Sequence, residues 1–294
     1  MASYSINQFS QITGLNKILI RTWENRYNFL TPKRTATNIR SYDDNMLNKG
    51  IKYAILVENG HKISKLVTYN DEDLNNLIEK ELEISKNNDA KYNIYISKFI
   101  EATLCFNQKL FNHTYTLCLK ELGIIDFYRS VLMKTMNKIS ILYLNAEITS
   151  ANEHFLSENI RIKIGSEIEK EEYKKGDYTE WVLFLPEHEY HDIGLLFTYL
   201  ILKKYNRKVI YLGQNTTRES LLQLDNGHQN FLCFLNTKRA QEFSEKLCSF
   251  LNNNLANSDV YVVEKEQLLR KDYTNIRSIK SIEKFIGLLE ESRI

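Results

Sequence analysis

The chain has 294 residues, 43% hydrophobic and 26% charged, ordinary globular usage that gives room for two or three domains and excludes global disorder. Its net charge of +2 hides an asymmetry: residues 1–65 carry ten Lys/Arg against four Asp/Glu, and the remainder 29 against 33. A basic head on a slightly acidic body suits one polyanion-facing domain. The longest apolar stretch, Ile193 to Leu202, is far shorter than the roughly 20 residues a membrane span needs, and Met-Ala-Ser-Tyr-Ser lacks the basic start of a signal peptide. These features predict a soluble cytoplasmic protein with no membrane partner. Cys105, Cys118, Cys233 and Cys248 form no C-x-x-C pair and sit in apolar periodic stretches, which predicts reduced, buried thiols rather than a disulfide or zinc framework.

In chain order, residues 1–85 read as short helices with a β wing. Ser5 and Gln8 have capping-box spacing and start a helix with Ile6, Phe9 and Ile12 on one face. Thr13-Gly14-Leu15 is a tight turn, and a second helix follows over about 17–26, giving the helix-turn-helix order. Thr31 to Tyr42 suits a small hairpin. Asp43 then caps a longer helix that ends at Gly60. Within 17–42 lie Lys17, Arg21, Arg26, Lys33, Arg34 and Arg40, interleaved with Trp23, Tyr27 and Tyr42. Arg and Lys neutralise phosphates, Arg can read guanine, and a wing adds backbone contacts. The other reading of such a basic run is a solvated surface.

The polar stretch Ser85 to Asp89 marks a boundary, and residues 90–175 form the next domain. Tyr95, Phe99 and Ala102, then Val131, Ile139 and Leu142, then Phe155, Ile160 and Ile164 keep helical spacing, which predicts a four-helix bundle. After the charged stretch Glu169 to Asp177, residues 178–294 change pattern. Trp181–Leu185, Val209–Leu212, Phe231–Leu235 and Val260–Val263 read as four strands separated by helices, an α/β doubly wound parallel sheet.

At the head the sequence resembles the MerR family of regulators. The resemblance covers about 70 residues and rests on Tyr4-Ser5-Ile6, Thr13-Gly14, Ile20-Arg21-Thr22-Trp23-Glu24-Asn25-Arg26-Tyr27, Arg34-Thr35, Asn38-Ile39-Arg40 and Tyr42-Asp43-Asp44. It implies a winged helix-turn-helix that binds double-stranded operator DNA through Lys17, Arg21, Trp23, Arg26, Tyr27, Arg34, Thr35, Asn38, Arg40 and Tyr42. Arg21 would then sit in the major groove and Arg34 and Arg40 in the wing. Trp23 and Tyr42 have a core alternative, since large aromatics supply much of a small domain's buried area. Glu24 is expected to orient a neighbouring arginine.

In the body, Glu189-Tyr190-His191-Asp192-Ile193-Gly194 follows the first strand, where open parallel sheets bind ligands. An imidazole there can ligate a metal while a carboxylate fixes its other nitrogen, and Gly194 allows a large flat ligand close to the backbone. With Leu212-Gly213 after the second strand, this pattern resembles the flavodoxin-like cobalamin-binding fold. By that resemblance His191 is the cobalt ligand, and Glu189, Gly194 and Gly213 also contact the cofactor. Tyr143, followed after nine residues by Glu153-His154, resembles the helical cap over the upper face. The whole is similar to cobalamin-dependent MerR-type repressors, which implies adenosylcobalamin or methylcobalamin as the cofactor.

Several positions depart from that pattern. Tyr143 replaces a tryptophan, and Leu144 stands where the photoreceptor members carry a light-switch histidine. Val262-Val263-Glu264-Lys265 replaces the Gly-Gly pair beside the nucleotide tail, and Asn236-Thr237 follows the third strand. His191 therefore has two readings, a cobalt ligand or a loop histidine capping the helix near Asp192 in a module without cofactor. The leading expectation is a non-enzymatic transcription regulator, dimeric or larger, controlled by a cobalamin-like ligand or an antagonist protein. The alternatives are a cobalamin-independent regulator whose body serves oligomerisation and, from another class, a corrinoid carrier for an enzyme. No Ser-His-Asp order, H-E-x-x-H or P-loop suggests independent catalysis.

Overall fold

The computed structural model describes residues 4–34, 38–84, 88–172, 179–235, 240–264 and 273–291. Compact units span Met1–Ser157 and Glu158–Ile294. Residues 85–87 and 173–178, within the two stretches where the sequence places domain boundaries, lie outside the described residues.

The first unit begins with α1 (Ile6–Thr13). The Gln8 N–H donates to Ser5 Oγ at 3.3 Å and the Ser5 N–H donates to Gln8 Oε1 at 2.7 Å, so the expected capping box is present. Gly14, at φ 78°, stops the helix in the left-handed region that only glycine enters at little cost. Asn16 then caps α2 (Lys17–Tyr27) by accepting the Ile18 N–H. A two-strand wing of β1 (Lys33–Arg34) and β2 (Arg40–Ser41) follows, antiparallel. Asp43 caps α3 (Asp44–Glu58). The α1 and α3 axes approach closely because Gly50 has no side chain: a Cβ there would lie 2.3 Å from Phe9 Cζ. Phe9 packs at a tilt against Tyr42, with ring centroids 4.5 Å apart, while Phe29 meets Trp23 and Tyr53 edge-on, each at 5.5 Å.

Next come α4 (Ile63–Leu66) and α5 (Asp71–Ile84). The four expected long helices follow: α6 (Asn88–Leu104), α7 (Gln108–Asp126), α8 (Met133–Leu144) and α9 (Ser150–Glu169). Gly123, at φ 70°, kinks α7, and a π-helical turn over Phe127–Leu132 joins it to α8. Phe99 anchors this region, with its ring 5.2 Å from Phe111 and 5.8 Å from Phe127.

The second unit holds β3 (Glu180–Pro186), α10 (Ile193–Lys204), β4 (Val209–Thr216), α11 (Arg218–Leu224), β5 (Gln229–Leu235), α12 (Ala240–Asn254), β6 (Asp259–Glu264), β7 (Ile276–Ile279) and α13 (Ile282–Glu291). All strands run parallel, in the order β4-β3-β5-β6-β7. The sequence reading found four of these strands and missed β7, whose short Ile-Arg-Ser-Ile run pairs at the sheet edge. Trp181 to Pro186 are all buried, which explains the absence of alternation in β3. Val182 and Phe184 enter one core layer with Phe231, Cys233, Leu247 and Val262. On the opposite face Trp181 packs 5.0 Å from Tyr261 and 5.6 Å from Phe285. The order is that of flavodoxin-like sheets, with the switch point between β3 and β5, where such folds bind ligands. Cys118, Cys233 and Cys248 are buried and Cys105 half-buried, and all are free thiols. Among the described residues, no helix is long and apolar enough to cross a membrane.

Candidate functional site

The head presents its cations on one side and its aromatics on the other. Ile20, Trp23 and Glu24 form the buried face of α2. Lys17, Arg21 and Arg26 are exposed, and Tyr27 is half-buried with the Arg26 guanidinium 5.6 Å over its ring. In the wing, Lys33, Arg34 and Asn38 are exposed, and Arg34 Nη1 donates to Asn38 Oδ1 at 2.8 Å. Thr35 lies outside the described residues. Trp23 is 5% exposed and Tyr42 fully buried, so both rings stand behind the basic surface as packing.

Glu24 joins helix to wing. It is 7% exposed; its Oε2 accepts from Arg40 Nε at 2.8 Å and its Oε1 accepts from the Tyr42 hydroxyl at 2.5 Å. Burial, then the Glu24 carboxylate, push the Tyr42 phenol well above its usual range. A charged and a neutral donor thus satisfy a nearly buried carboxylate, the condition under which such a group is tolerated. Arg40, expected in the wing, is there, and its side chain is turned back onto α2 with 20% left exposed.

In the second unit, the loop between β3 and α10 holds His191. Its side chain is 73% exposed, and Nδ1 lies 2.6 Å from Glu189 Oε1. The same oxygen accepts the backbone N–H groups of Tyr190 and His191, each at 3.0 Å. Burial opposes the Glu189 charge, but these bonds, with the His191 ring foremost, outweigh it and hold the carboxyl below its usual range. A carboxylate at Nδ1 makes that nitrogen the donor and places the lone pair on Nε2. His191 is therefore oriented by Glu189. The N-cap of α10 is Asp192, which makes no side-chain cap bond and instead accepts from Arg161 Nε on α9 at 2.8 Å; Arg161 also pairs with Glu158.

Two residues that read as loop in the sequence hold this turn from β4. Gln214 Nε2 donates to the Tyr190 carbonyl at 2.9 Å, and Asn215 Oδ1 accepts the His188 N–H at 3.0 Å. They reach it because β4 bulges: Leu183 pairs with Tyr211 but Phe184 with Gly213. Gly213 takes φ 76° at that bulge, a backbone reason for glycine there. Gly194 also has a packing reason. A Cβ on it would lie 2.8 Å from Phe234 Cε1, so the ring of Phe234, on β5, fills the space at the switch point that the sequence reading left for a ligand. The third-strand residues Asn236-Thr237, and Lys265 of the altered Gly-Gly position, lie outside the described residues.

In the first unit, Tyr143 is 45% and Leu144 79% exposed on the last turn of α8. Glu153 and His154 pair in the first turn of α9, His154 Nε2 being 3.8 Å from Glu153 Oε2 with His154 72% exposed. Among the described residues, no group of three or more His, Cys, Asp or Glu side chains could hold a metal ion.

A helix-turn-helix with a basic wing and a doubly wound sheet with a histidine at its switch point define a two-part regulator with a DNA-reading end and a ligand-type fold. Comparison with known proteins gives the same two parts. Residues 4–72 match the family of MerR HTH family regulatory proteins. Over 221 residues the chain is 25% identical to the HTH-type transcriptional repressor CarH of Myxococcus xanthus, spanning 74% of this chain and 73% of that protein. Among solved structures, the monomethylamine corrinoid protein of Methanosarcina barkeri aligns with TM-score 0.51 at 16% identity, over 66% of this chain and 96% of that one, a likeness of fold. Residues 4–72 are a MerR-type helix-turn-helix domain, and the chain is a DNA-binding transcription regulator.

Proposed function

We propose that this regulator is controlled by a cobalamin-type ligand held at the His191 loop. The observation that carries this reading is the Glu189–His191 pair at the switch point, with Nδ1 fixed at 2.6 Å. A corrinoid would supply a cobalt that the His191 imidazole could ligate, and one imidazole suits a metal whose other ligands come from a macrocycle. Glu189 keeps the tautomer, Gln214 and Asn215 hold the loop, and Arg161 takes the Asp192 charge away from the turn. Tyr143, Glu153 and His154 are the proposed cap residues. In the head, Lys17, Arg21, Arg26, Arg34 and Asn38 are the proposed contacts to operator DNA, with Trp23, Tyr42 and the Glu24–Arg40 pair fixing their platform. We propose binding as a dimer or higher oligomer, so that symmetry doubles the contact set.

Phe234 occupies the space beside Gly194, and that observation favours a second reading in which the module binds no corrinoid and serves self-association or contact with an antagonist protein. Visible absorbance and thermal stability of the full chain with adenosylcobalamin and methylcobalamin, beside His191→Ala, separate the two. A retained chromophore and a raised melting temperature, both lost in His191→Ala, support the first. Absence of both effects with either cobalamin supports the second.

A further inference from the structure

The DNA-reading helix carries an apolar side chain that the folding of the head does not use. Ile18 is 73% exposed at the second position of α2, directly after the Asn16 cap. The buried face of α2 belongs to Ile20, Trp23 and Glu24. Residues 18, 21, 22 and 25 share another face by helical spacing, and Arg21 and Asn25 on it are exposed, as is the neighbouring Lys17. Helix propensity does not explain the residue, because β-branched isoleucine ranks below Ala, Leu, Lys and Gln. A water-exposed isoleucine amid cations therefore points to an apolar partner on a polyanion.

Duplex DNA offers one such group at the base edges of the major groove, the C5 methyl of thymine, and the first residues of a recognition helix are the ones that reach base edges. We infer that Ile18 is a specificity-determining residue that packs on a thymine methyl while Lys17 and Arg21 engage the phosphates and neighbouring bases. This rests on the reading of α2 as the recognition helix.

The test uses the full chain and duplexes selected by it from a random pool. Each thymine of the selected sequence is then replaced singly by deoxyuridine, which removes the methyl and keeps the pairing. At one position the replacement weakens binding about fourfold, the factor expected for one buried methyl-sized group. Ile18→Ala weakens binding to the thymine duplex by at least that factor and is indifferent to deoxyuridine at the same position, whereas Ile18→Val keeps most of the discrimination. Selected duplexes whose affinity no deoxyuridine alters, or a deoxyuridine effect undiminished in Ile18→Ala, overturn the inference and leave the DNA reading intact. A changed oligomeric state in Ile18→Ala with unchanged thymine discrimination assigns the side chain to a contact between copies and overturns it as well. Failure to select any duplex overturns the DNA reading itself.

Discussion

The head and the α/β unit differ in how far apart in sequence their functional parts lie. In the head, Glu24 reaches Arg40 and Tyr42 within 18 residues, and the capping box, turn and wing are local. In the α/β unit, the His191 turn is held by Gln214, Asn215 and, through Asp192, by Arg161, and the space beside Gly194 is decided by Phe234 on another strand. A DNA-reading surface can thus be specified by a short continuous motif. A ligand site at a sheet's switch point is specified by residues that meet only after the sheet has formed.

The strongest test of the head side of this contrast is Glu24→Ala. It strands Arg40 and the Tyr42 hydroxyl and removes a nearly buried charge partner, with an expected loss of about 3 kcal/mol in local stability. Native-state hydrogen exchange of the α1–α3 amides in the full chain reads this; unchanged protection would mean that the wing and helix are not coupled through Glu24. Next is Gly194→Ala, which forces a methyl against the Phe234 ring and should lower the stability of the α/β unit by about 1–3 kcal/mol. Combined with Phe234→Leu, much of that loss should return. Urea unfolding of the single and double variants decides, and strict additivity would remove the packing account of Gly194.

Smaller in expected effect is Arg21→Ala, which should weaken binding to a selected duplex by about tenfold and relax its sequence preference, as loss of a base-reading arginine does. Equal affinity in a salt-matched titration would take Arg21 out of the interface. The smallest effect concerns Glu189. Its carboxyl is held below the ordinary value of 4.5 in the folded chain, so the stability it contributes is complete above that pH. It is lost as the pH falls through the lowered folded value. Glu189→Gln should remove that acid-side loss and leave a flatter stability profile below the carboxylate range. An acid limb identical to that of the parent chain would show that the Glu189 bonds do not contribute.

The sequence made most of the head legible because its signals are local: Ser5 with Gln8 and Asp43 at helix starts, and glycine at the α1 stop; the Asn16 cap of α2 emerged only from the structure. Glu24 as the partner of an arginine was also readable, from its place inside a basic run. In the α/β unit the apolar runs located β3, β5 and β6, since strands buried on both faces need no alternation to be seen. Edge strand β7 escaped because Ile276-Arg277-Ser278-Ile279 has only its two ends apolar. The extension of β4 through Gly213 to Thr216 escaped because polar residues at a strand end look like loop, and with it went the role of Gln214 and Asn215. Gly194 read as room for a ligand because nothing in the sequence places the Phe234 ring against it.

We propose that a ligand at the His191 loop governs DNA binding by the head. The most direct measurement is the affinity of the full chain for a selected duplex, with and without adenosylcobalamin or methylcobalamin, for the parent chain and His191→Ala. Coupling between two sites is commonly about 5- to 150-fold in affinity. A shift in that range is expected in the parent chain with at least one cobalamin, and none in His191→Ala. Equal affinities under all of these conditions, with DNA bound throughout, would contradict it.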